Sequence, residues 1–423
     1  MGIDSPVKAL LIAFAEDPAA AVYSINRLKP ESLCFFLPET VKPLVESTVQ
    51  PHITQMPRRW DWVITPDPLN FMLSYQVLAR SLPEMLRTWD VQPGELVVDL
   101  TGCTPAMAAA MTLAGAPHSS RIVTLGRVET QSTENKTAGE TLEIAGHPRL
   151  WMQSNPWDEA AVQARQEAGE QFNRGAFRAA ALLFQRIEAR VSGGQKPLYR
   201  ALADLAEGYG LWERFLHRQA WDKLKISAKA LDMAVVWGGP PGLKGLLPAL
   251  KNNAGFLEKV VLDPQEVKEY VVYDLLAHAR RRADVDQHFE AAMATLVRTL
   301  EAFAQWQLFK QFKIKTWDVQ PDQLPEALRE TCRTCLLDDV DGKYKLPLQS
   351  QFRALAGLGH QTGQVYLANW AKLKPLLDAT GQAVLGHGFE PVKPERFHQL
   401  YELVIKLTGV SETSLPKFPV LNL

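Results

Sequence analysis

Apolar and polar positions over residues 1–150 alternate between two patterns. Short, nearly continuous apolar runs at 9–15, 32–37, 62–65, 95–100 and 121–125 predict strands, and segments 19–28, 69–86 and 105–114 have the apolar spacing of helices. Strands that alternate with helices indicate an α/β domain, with a parallel sheet covered on both faces. Ligands of such sheets bind at the carboxyl ends of the strands, in the loops that open the helices.

Beyond Pro156 the pattern becomes almost entirely helical. Residues 172–180 lie between two helical stretches and resemble one tetratricopeptide-like hairpin, although no second copy recurs at a fixed period. The Gly/Pro cluster Trp237–Gly242 predicts a loop, and Asp263-Pro264 predicts the start of a further helical segment. From there helices are predicted to about residue 309, over 325–337 and over 348–410, and the tail 414–423 is predicted to be irregular. The predicted domains are 1–150, 151–262 and 263–423.

Composition narrows the class of protein. A chain of 423 residues suggests about three domains, and 46% apolar with 22% charged residues is ordinary for a globular protein. The net charge of −1 argues against a dedicated duplex DNA binder, and no apolar stretch approaches the roughly 20 residues of a membrane helix. Four cysteines are too few for a disulfide scaffold, and the C-x-x-C pair Cys332 and Cys335 lacks further zinc ligands nearby. We therefore expect a cytoplasmic protein with no membrane contact.

The segment Asp99–Met107, D-L-T-G-C-T-P-A-M, joins a predicted strand to a predicted helix. Unsatisfied backbone amides at such a junction favour anions, Gly102 lets the backbone approach a ligand, and the hydroxyls of Thr101 and Thr104 donate hydrogen bonds. A simpler alternative is a helix cap at Thr104 with Pro105 in the first turn. Both interpretations remain open from the residues alone.

The same segment resembles the D-L-T-G-x-T signature of CARF domains, the Rossmann-fold sensors of type III CRISPR systems. Further stretches are similar to the CARF–HEPN subfamily in their order along the chain: 24–31 (SINRLKPE), 155–158 (NPWD), 171–175 (QFNRG), 274–281 (DLLAHARR) and 385–392 (LGHGFEPV). The resemblance implies an α/β plus all-α fold: a Rossmann-like CARF domain, a helical hairpin domain and a helical HEPN-like domain.

The resemblance also implies that the CARF domain binds cyclic oligoadenylate across a homodimer interface, with no other cofactor. The implied ligand contacts are Ala15, Glu16, Asp17, Thr101, Gly102, Cys103, Thr104 and Met107. The sequence departs from the family at two places. Pro105 stands where a Lys often follows the second Thr, and acidic residues stand at 16 and 17 where Ser or Thr is common.

In the HEPN-like segment the resemblance implies His387 as the catalytic residue of a metal-independent endoribonuclease acting on single-stranded RNA. The family places an Arg, usually followed by Asn, a short way upstream, but Thr380-Gly381 stand there in this chain. Neither residue replaces a guanidinium, which would offset charge in the transition state. A helix-capping role for His387 is the alternative.

Three other features carry weaker hypotheses. Arg353 and His360 have the spacing of the motif but not its position, so chance spacing on a helix is favoured. Arg280, Arg281 and Arg282 are predicted to form a solvated helix face; the alternative is that one of them stands in for the missing motif arginine, since the family resembled keeps basic residues there. Residues 309–317 interleave three lysines with aromatics, as on single-strand binders, but lysine stems covering core-facing rings give the same pattern and are the favoured explanation.

The sequence therefore predicts a messenger-sensing effector of antiviral defence, with an RNA-cleaving domain whose motif is degenerate. Two alternatives remain: a protein that binds or sequesters the messenger without cleaving RNA, and a ring nuclease that cleaves the messenger itself.

Overall fold

The computed structural model describes residues 7–15, 18–92, 94–127 and 148–423. Within them the chain forms two compact units. The first comprises residues up to 164 together with 186–196, and the second comprises 165–185 together with 197–423. Glu16 and Asp17, two of the predicted ligand contacts, lie outside the described residues.

The first unit is built on a six-stranded sheet in the order β3-β2-β1-β4-β5-β6. Strands β1 to β5 are parallel, and β6 is antiparallel to β5. The strands are β1 (Ala9–Ala13), β2 (Ser32–Pro38), β3 (Arg59–Thr65), β4 (Leu96–Asp99), β5 (Ser119–Arg127) and β6 (Pro148–Ser154). The five predicted strands are present, and β6 was not predicted.

Alternate residues of the central strands point to opposite faces of the sheet and pack into two apolar layers, one on each face. Leu11 of β1 packs with Leu78 and Met111 on one face, and Ile12 packs with Ile25 on the other. Both faces are therefore covered, which explains why β1 is apolar throughout. The covering helices are α1 (Pro18–Leu28), α2 (Phe71–Thr88) and α3 (Pro105–Gly115), and short helical turns occupy residues 39–52. The unit has the predicted Rossmann-like architecture.

Asn155 follows β6 and anchors it to the neighbouring turn. Its amide donates to the carbonyl oxygens of Ala116 and Ser119 at 2.8 and 2.9 Å, and the side chain is buried. Asp158 forms an ion pair with Arg190, with 2.9 Å between Oδ1 and Nε. The NPWD segment thus has a structural role in this unit.

The remaining chain is helical. The helices are α4 (Pro156–Ala160), α5 (Val162–Asn173), α6 (Phe177–Arg190), α7 (Lys196–Trp212), α8 (His217–Val236), α9 (Leu243–Leu262), α10 (Glu269–Asp284), α11 (Phe289–Phe312), α12 (Glu326–Cys335), α13 (Leu348–Gly357), α14 (Gln361–Ala368), α15 (Trp370–Gly381) and α16 (Pro394–Thr408). The fold class, an α/β sheet followed by helices only, is the predicted one. No helix in the described ranges is long and apolar enough to cross a membrane.

The predicted helix start at Asp263-Pro264 is wrong. Helix α9 ends at Leu262 and α10 begins at Glu269. The Asp263 carboxylate accepts a hydrogen bond from the Gln265 amide at 2.9 Å, which closes a local turn instead of capping a helix.

The tail beyond residue 414 has no regular structure, as predicted, but it is packed firmly within the second unit. Phe418 contacts the rings of Tyr209 and Trp212, with centroids 4.6 and 5.0 Å apart. Asn173, from the predicted hairpin, exchanges two hydrogen bonds with the backbone of Leu421, at 2.7 and 3.0 Å. The hairpin asparagine therefore holds the tail as well as ending α5.

Candidate functional site

The first candidate site lies where the sheet order reverses. β1 and β4 are neighbours, and the chain leaves their carboxyl ends in opposite directions to form α1 and α3. A crevice at this position is the usual ligand site of open parallel sheets. The loop 100–104 follows β4 at this position, and the half-buried Ala15 follows β1.

Gly102 lies against the backbone at the end of β1. A Cβ atom at this position would lie 2.6 Å from the Ala13 carbonyl oxygen. Any side chain would therefore collide with the backbone at the end of β1, and only glycine permits this approach. The D-L-T-G segment has glycine here because two backbones are in contact.

Hydrogen bonds to Asp99 and from β5 fix Thr101. Its amide donates to Asp99 Oδ1 at 2.8 Å, and its hydroxyl accepts from the Leu125 amide at 2.8 Å. The Asp99 side chain is fully buried. Burial raises the pKa of Asp99, against the opposing hydrogen bonds from Thr101 and Ser24.

Thr104 caps α3. Its hydroxyl accepts a hydrogen bond from the Met107 amide at 3.2 Å and donates to the Pro68 carbonyl oxygen. Pro105 occupies the first helical position, as the capping alternative anticipated. The hydroxyl proton of Thr104 is thus engaged, and the Thr101 hydroxyl is hydrogen-bonded to the Asp99 carboxylate.

Two of the predicted contacts point into the protein. Met107 is fully buried in the core between the sheet and the helices, together with Ala110, Met111 and Ala114. The spacing 107, 110, 111 and 114 is that of a buried helix face, a signal already present in the sequence. Cys103 is half-buried with its sulfur 3.4 Å from that of Met111, and burial raises its pKa to about 12.

Sequence analysis missed an apolar rim beside the loop. Leu69 and Met72 are 77% and 55% exposed, and Phe71 and Leu73 are exposed as well. They open α2 directly after Pro68, whose carbonyl oxygen accepts the hydrogen bond from Thr104. Four exposed apolar side chains in one turn are unusual on a surface and mark a contact region.

The second candidate site is the loop that follows α15. The His387 amide donates to the Gly381 carbonyl oxygen at 2.7 Å, so the loop folds back on the end of the helix. A Cβ at Gly388 would lie 2.1 Å from the Gln382 carbonyl oxygen, which requires glycine after the histidine. The His387 ring is exposed and makes no hydrogen bond or ion pair with any described residue.

The structure brings Thr380-Gly381 and His387 together. The Thr380 hydroxyl donates to the Leu376 carbonyl oxygen of its own helix at 3.1 Å. Three exposed side chains around the loop are apolar: Val384 and Leu385 are each 58% exposed, and Phe389 is 93% exposed. The position expected to carry a cation thus carries a neutral hydroxyl that is directed into α15.

The alternative pair, Arg353 and His360, has a structural explanation. His360 caps α14, because its Nδ1 accepts from the Thr362 amide at 3.3 Å. Its Nε2 lies 3.0 Å from the Gln311 amide nitrogen, and burial lowers its pKa. Both ring nitrogens are engaged, which supports the chance-spacing interpretation.

The arginine run of α10 is not the predicted solvated face. Arg281 is only 15% exposed and pairs with Glu213, which also binds Arg282 at 3.0 Å. His278 lies 3.4 Å from the same carboxylate, yet burial and the two arginines lower its pKa to about 4. The prediction failed because α10 packs against the end of α7, which presents Glu213 to it.

The lysines of residues 309–317 are largely engaged within the protein. Lys310 lies over the Trp306 ring at 4.4 Å, Lys313 lies over Phe309 at 5.6 Å, and Lys315 pairs with Glu266 at 2.7 Å. Phe312 packs against the core of the unit. These contacts favour the structural explanation of the pattern.

Comparisons with known families identify the class of protein. Residues 160–257 match the family model described as the Csm6 6H domain, and residues 263–411 match the one described as the Csm6 HEPN domain. Together with the Rossmann-like sheet, they define a CARF–HEPN protein of type III CRISPR systems. The chain belongs to the Csm6 family. The division into domains at residues 150 and 262 stays a prediction.

The fold is shared with a solved member of that family. The structure of Enterococcus italicus Csm6 bound to cyclic hexa-2'-fluoro-hexa-dAMP matches with a TM-score of 0.57 and 10% identity, over 96% of this chain and 96% of that chain. No curated protein sequence matches the chain.

Proposed function

We propose that this protein is a cytoplasmic, homodimeric effector that binds cyclic oligoadenylate and thereby controls its HEPN domain. The observation that carries the proposal is the contact of Gly102 with the end of β1. This contact brings the loop after β4 beside the loop after β1, at the position where the strand order of the sheet reverses and where such sheets bind ligands. The Csm6 neighbour whose fold the chain shares is bound to a cyclic hexanucleotide analogue.

The residues of the crevice suit such a ligand. At the start of α3, Pro105 has no amide hydrogen and Thr104 caps the Met107 amide, so the Ala106 amide is left to donate to a phosphate. The exposed apolar rim of Leu69, Phe71, Met72 and Leu73 offers contact area to adenine rings or to a second copy of the chain. A cyclic oligomer with two-fold symmetry matches a two-fold dimer, so that one ligand serves two chains.

For the HEPN domain we propose metal-independent cleavage of single-stranded RNA, with His387 as the catalytic residue. The ribose 2′-oxygen attacks the adjacent phosphorus, its proton passes to a base, and the 5′-oxygen of the next nucleotide leaves with a proton. The exposed ring of His387 is free to act in one of these transfers. Apolar Leu385 and Phe389 beside it favour pairing with a second copy, which would bring two histidines to one cleft.

A second candidate is a messenger-binding protein that does not cleave RNA. It is favoured by Thr380, because its hydroxyl is bonded to Leu376 and supplies no positive charge to the phosphate. Loss of one such donor costs about 3 kcal/mol of transition-state stabilisation. A ring nuclease ranks third, because Pro105 provides no amine where the family often has Lys.

The experiment combines full-length protein, cyclic tetra- or hexaadenylate and end-labelled single-stranded RNA in the presence of a chelator. We expect messenger-dependent cleavage that is lost in His387→Ala and kept in His398→Ala, an exposed histidine of the same domain. Binding of the messenger without RNA cleavage would select the second candidate, and linear adenylates would select the third. Absence of both binding and cleavage would overturn the proposal.

A further inference from the structure

The second unit contains a large cavity that neither candidate site uses. Its volume is about 1260 Å³, and its walls come from the α5–α6 turn, the end of α7, the end of α10 and the tail. We call it the arginine pocket. Pockets of several hundred Å³ or more accommodate small organic ligands.

In the wall of the arginine pocket the acidic side chains all have ion-pair partners, whereas some of the basic side chains do not. Every acidic side chain in its wall already has a basic partner within 4.0 Å: Glu207 with Lys223, Glu213 with Arg281 and Arg282, Asp284 and Glu412 with Arg280, and Asp286 with Arg282. Basic side chains therefore remain in the wall after each of its acidic side chains has been paired.

Three cations of the wall have no such partner. Arg178, Arg214 and Lys417 are exposed and form no ion pair with the residues that the structure describes. Arg281 is not among them, because its guanidinium is buried between Glu213, Asp274 and the Phe418 ring. The pocket therefore holds positive charge and guanidinium donors that await an acceptor, a combination that suits a phosphate.

The other part of the wall is apolar. Leu182 and Val420 are 56% and 65% exposed at the pocket, and the Arg281 guanidinium lies 3.9 Å from the Phe418 ring centroid. Cations beside an open apolar surface fit a ligand that has an anionic end and a flat apolar end. A nucleotide combines these properties.

We propose that the arginine pocket binds a nucleotide-sized organic phosphate, with its phosphate on Arg178 and Lys417 and its base against Leu182 and Val420. This site is separate from the crevice at Gly102 and from His387. It adds a small-molecule ligand to the helical part of the protein, and it does not depend on the proposed function.

The test is calorimetric titration of the full-length protein at low salt with AMP, ATP, pyrophosphate and adenosine. We expect AMP and ATP to bind at least about tenfold more tightly than adenosine, because a hydrogen bond to a charged group contributes roughly that factor or more. Arg178→Gln and Lys417→Gln should each weaken ATP binding about tenfold. The matched control is Arg186→Gln on the same helix, whose side chain is exposed outside the pocket and should leave binding unchanged.

Three outcomes would overturn the proposal. Adenosine could bind as tightly as AMP, which would show that the cations do not hold a phosphate. ATP could bind equally well to wild type and both pocket variants, which would place it elsewhere. A hexauridylate RNA could bind more than about tenfold tighter than ATP in an Arg178- and Lys417-dependent manner, which would make the pocket an RNA surface. Because the replaced side chains are exposed and unpaired, the variants should fold as wild type, and thermal unfolding checks this.

Discussion

Gly102→Ala tests the contact on which the sensor site depends. The added Cβ would lie 2.6 Å from the Ala13 carbonyl oxygen, 3.3 Å from its carbon and 3.5 Å from the Phe14 Cα. All three are backbone atoms, so no change of side-chain rotamer relieves the collision, and the loop or the end of β1 must shift. Overpacking of this kind costs about 1–3 kcal/mol. At about 2–4 °C per kcal/mol for a unit of this size, the unfolding midpoint should fall by roughly 2–12 °C.

The shift should also separate the loop after β4 from the loop after β1. We therefore expect Gly102→Ala to weaken binding of cyclic tetra- or hexaadenylate at least about tenfold, a loss of about 1.4 kcal/mol. Differential scanning fluorimetry and calorimetric titration measure the two effects. The control is Gly193→Ala, where a Cβ meets nothing within 4 Å and the backbone is not left-handed, so neither quantity should fall. An unfolding midpoint and a messenger affinity equal to those of wild type would refute the reasoning.

Three further predictions concern stability. Thr104→Ala should lower the free energy of unfolding by about 1 kcal/mol in urea, because α3 loses its cap, whereas Thr104→Ser should retain most of it. Phe418→Ala should cost about 2 kcal/mol or more, since the ring packs on Tyr209 and Trp212, whereas the exposed Val420→Ala should cost little. His278 has its pKa lowered from 6.5 to about 4 by burial and by Arg281 and Arg282, so the folded state resists its protonation. The His278 contribution to the free energy of unfolding should be fully present above pH 6.5, and up to about 3 kcal/mol should be lost as the pH falls toward 4. A smaller loss in His278→Asn than in wild type would support the assignment to this histidine. An equal acid sensitivity of the two proteins would contradict it.

The central strands and helices of the sheet domain could be predicted from the sequence because buried segments are recognisable by their apolar residues. The run Ala9–Ala13 is apolar at every position, and the structure buries it on both faces. Thr104-Pro105 had the pattern of a helix cap, and the hydroxyl of Thr104 forms that cap. Local rules sufficed where local contacts decide the structure.

Long-range contacts decided the rest. Arg281 has the spacing of a helix face, and only the fold reveals that Glu213, far away in sequence, lies against it. Asn173 suggested a tight turn, and its partner Leu421 lies at the other end of the chain. Strand β6 pairs antiparallel at the edge of the sheet, outside the alternation of strand and helix that predicted the others.

The sequence predicted where the candidate sites lie, but it predicted less well which side chains face them. The motif placed a glycine at the switch point, and the structure explains it by the approach to Ala13. Met107 was named because the motif contains it, although its spacing with Met111 and Ala114 marks the buried face of α3. The apolar rim from Leu69 to Leu73 lies on a different element, so no local motif could connect it with Thr104.

Calorimetric titration of the full-length chain with cyclic tetra- and hexaadenylate tests the central claim most directly. We expect saturable binding of one of the two rings, with one messenger bound per two chains and affinity reduced in Gly102→Ala. Absence of binding to either ring by a folded, dimeric protein would contradict it.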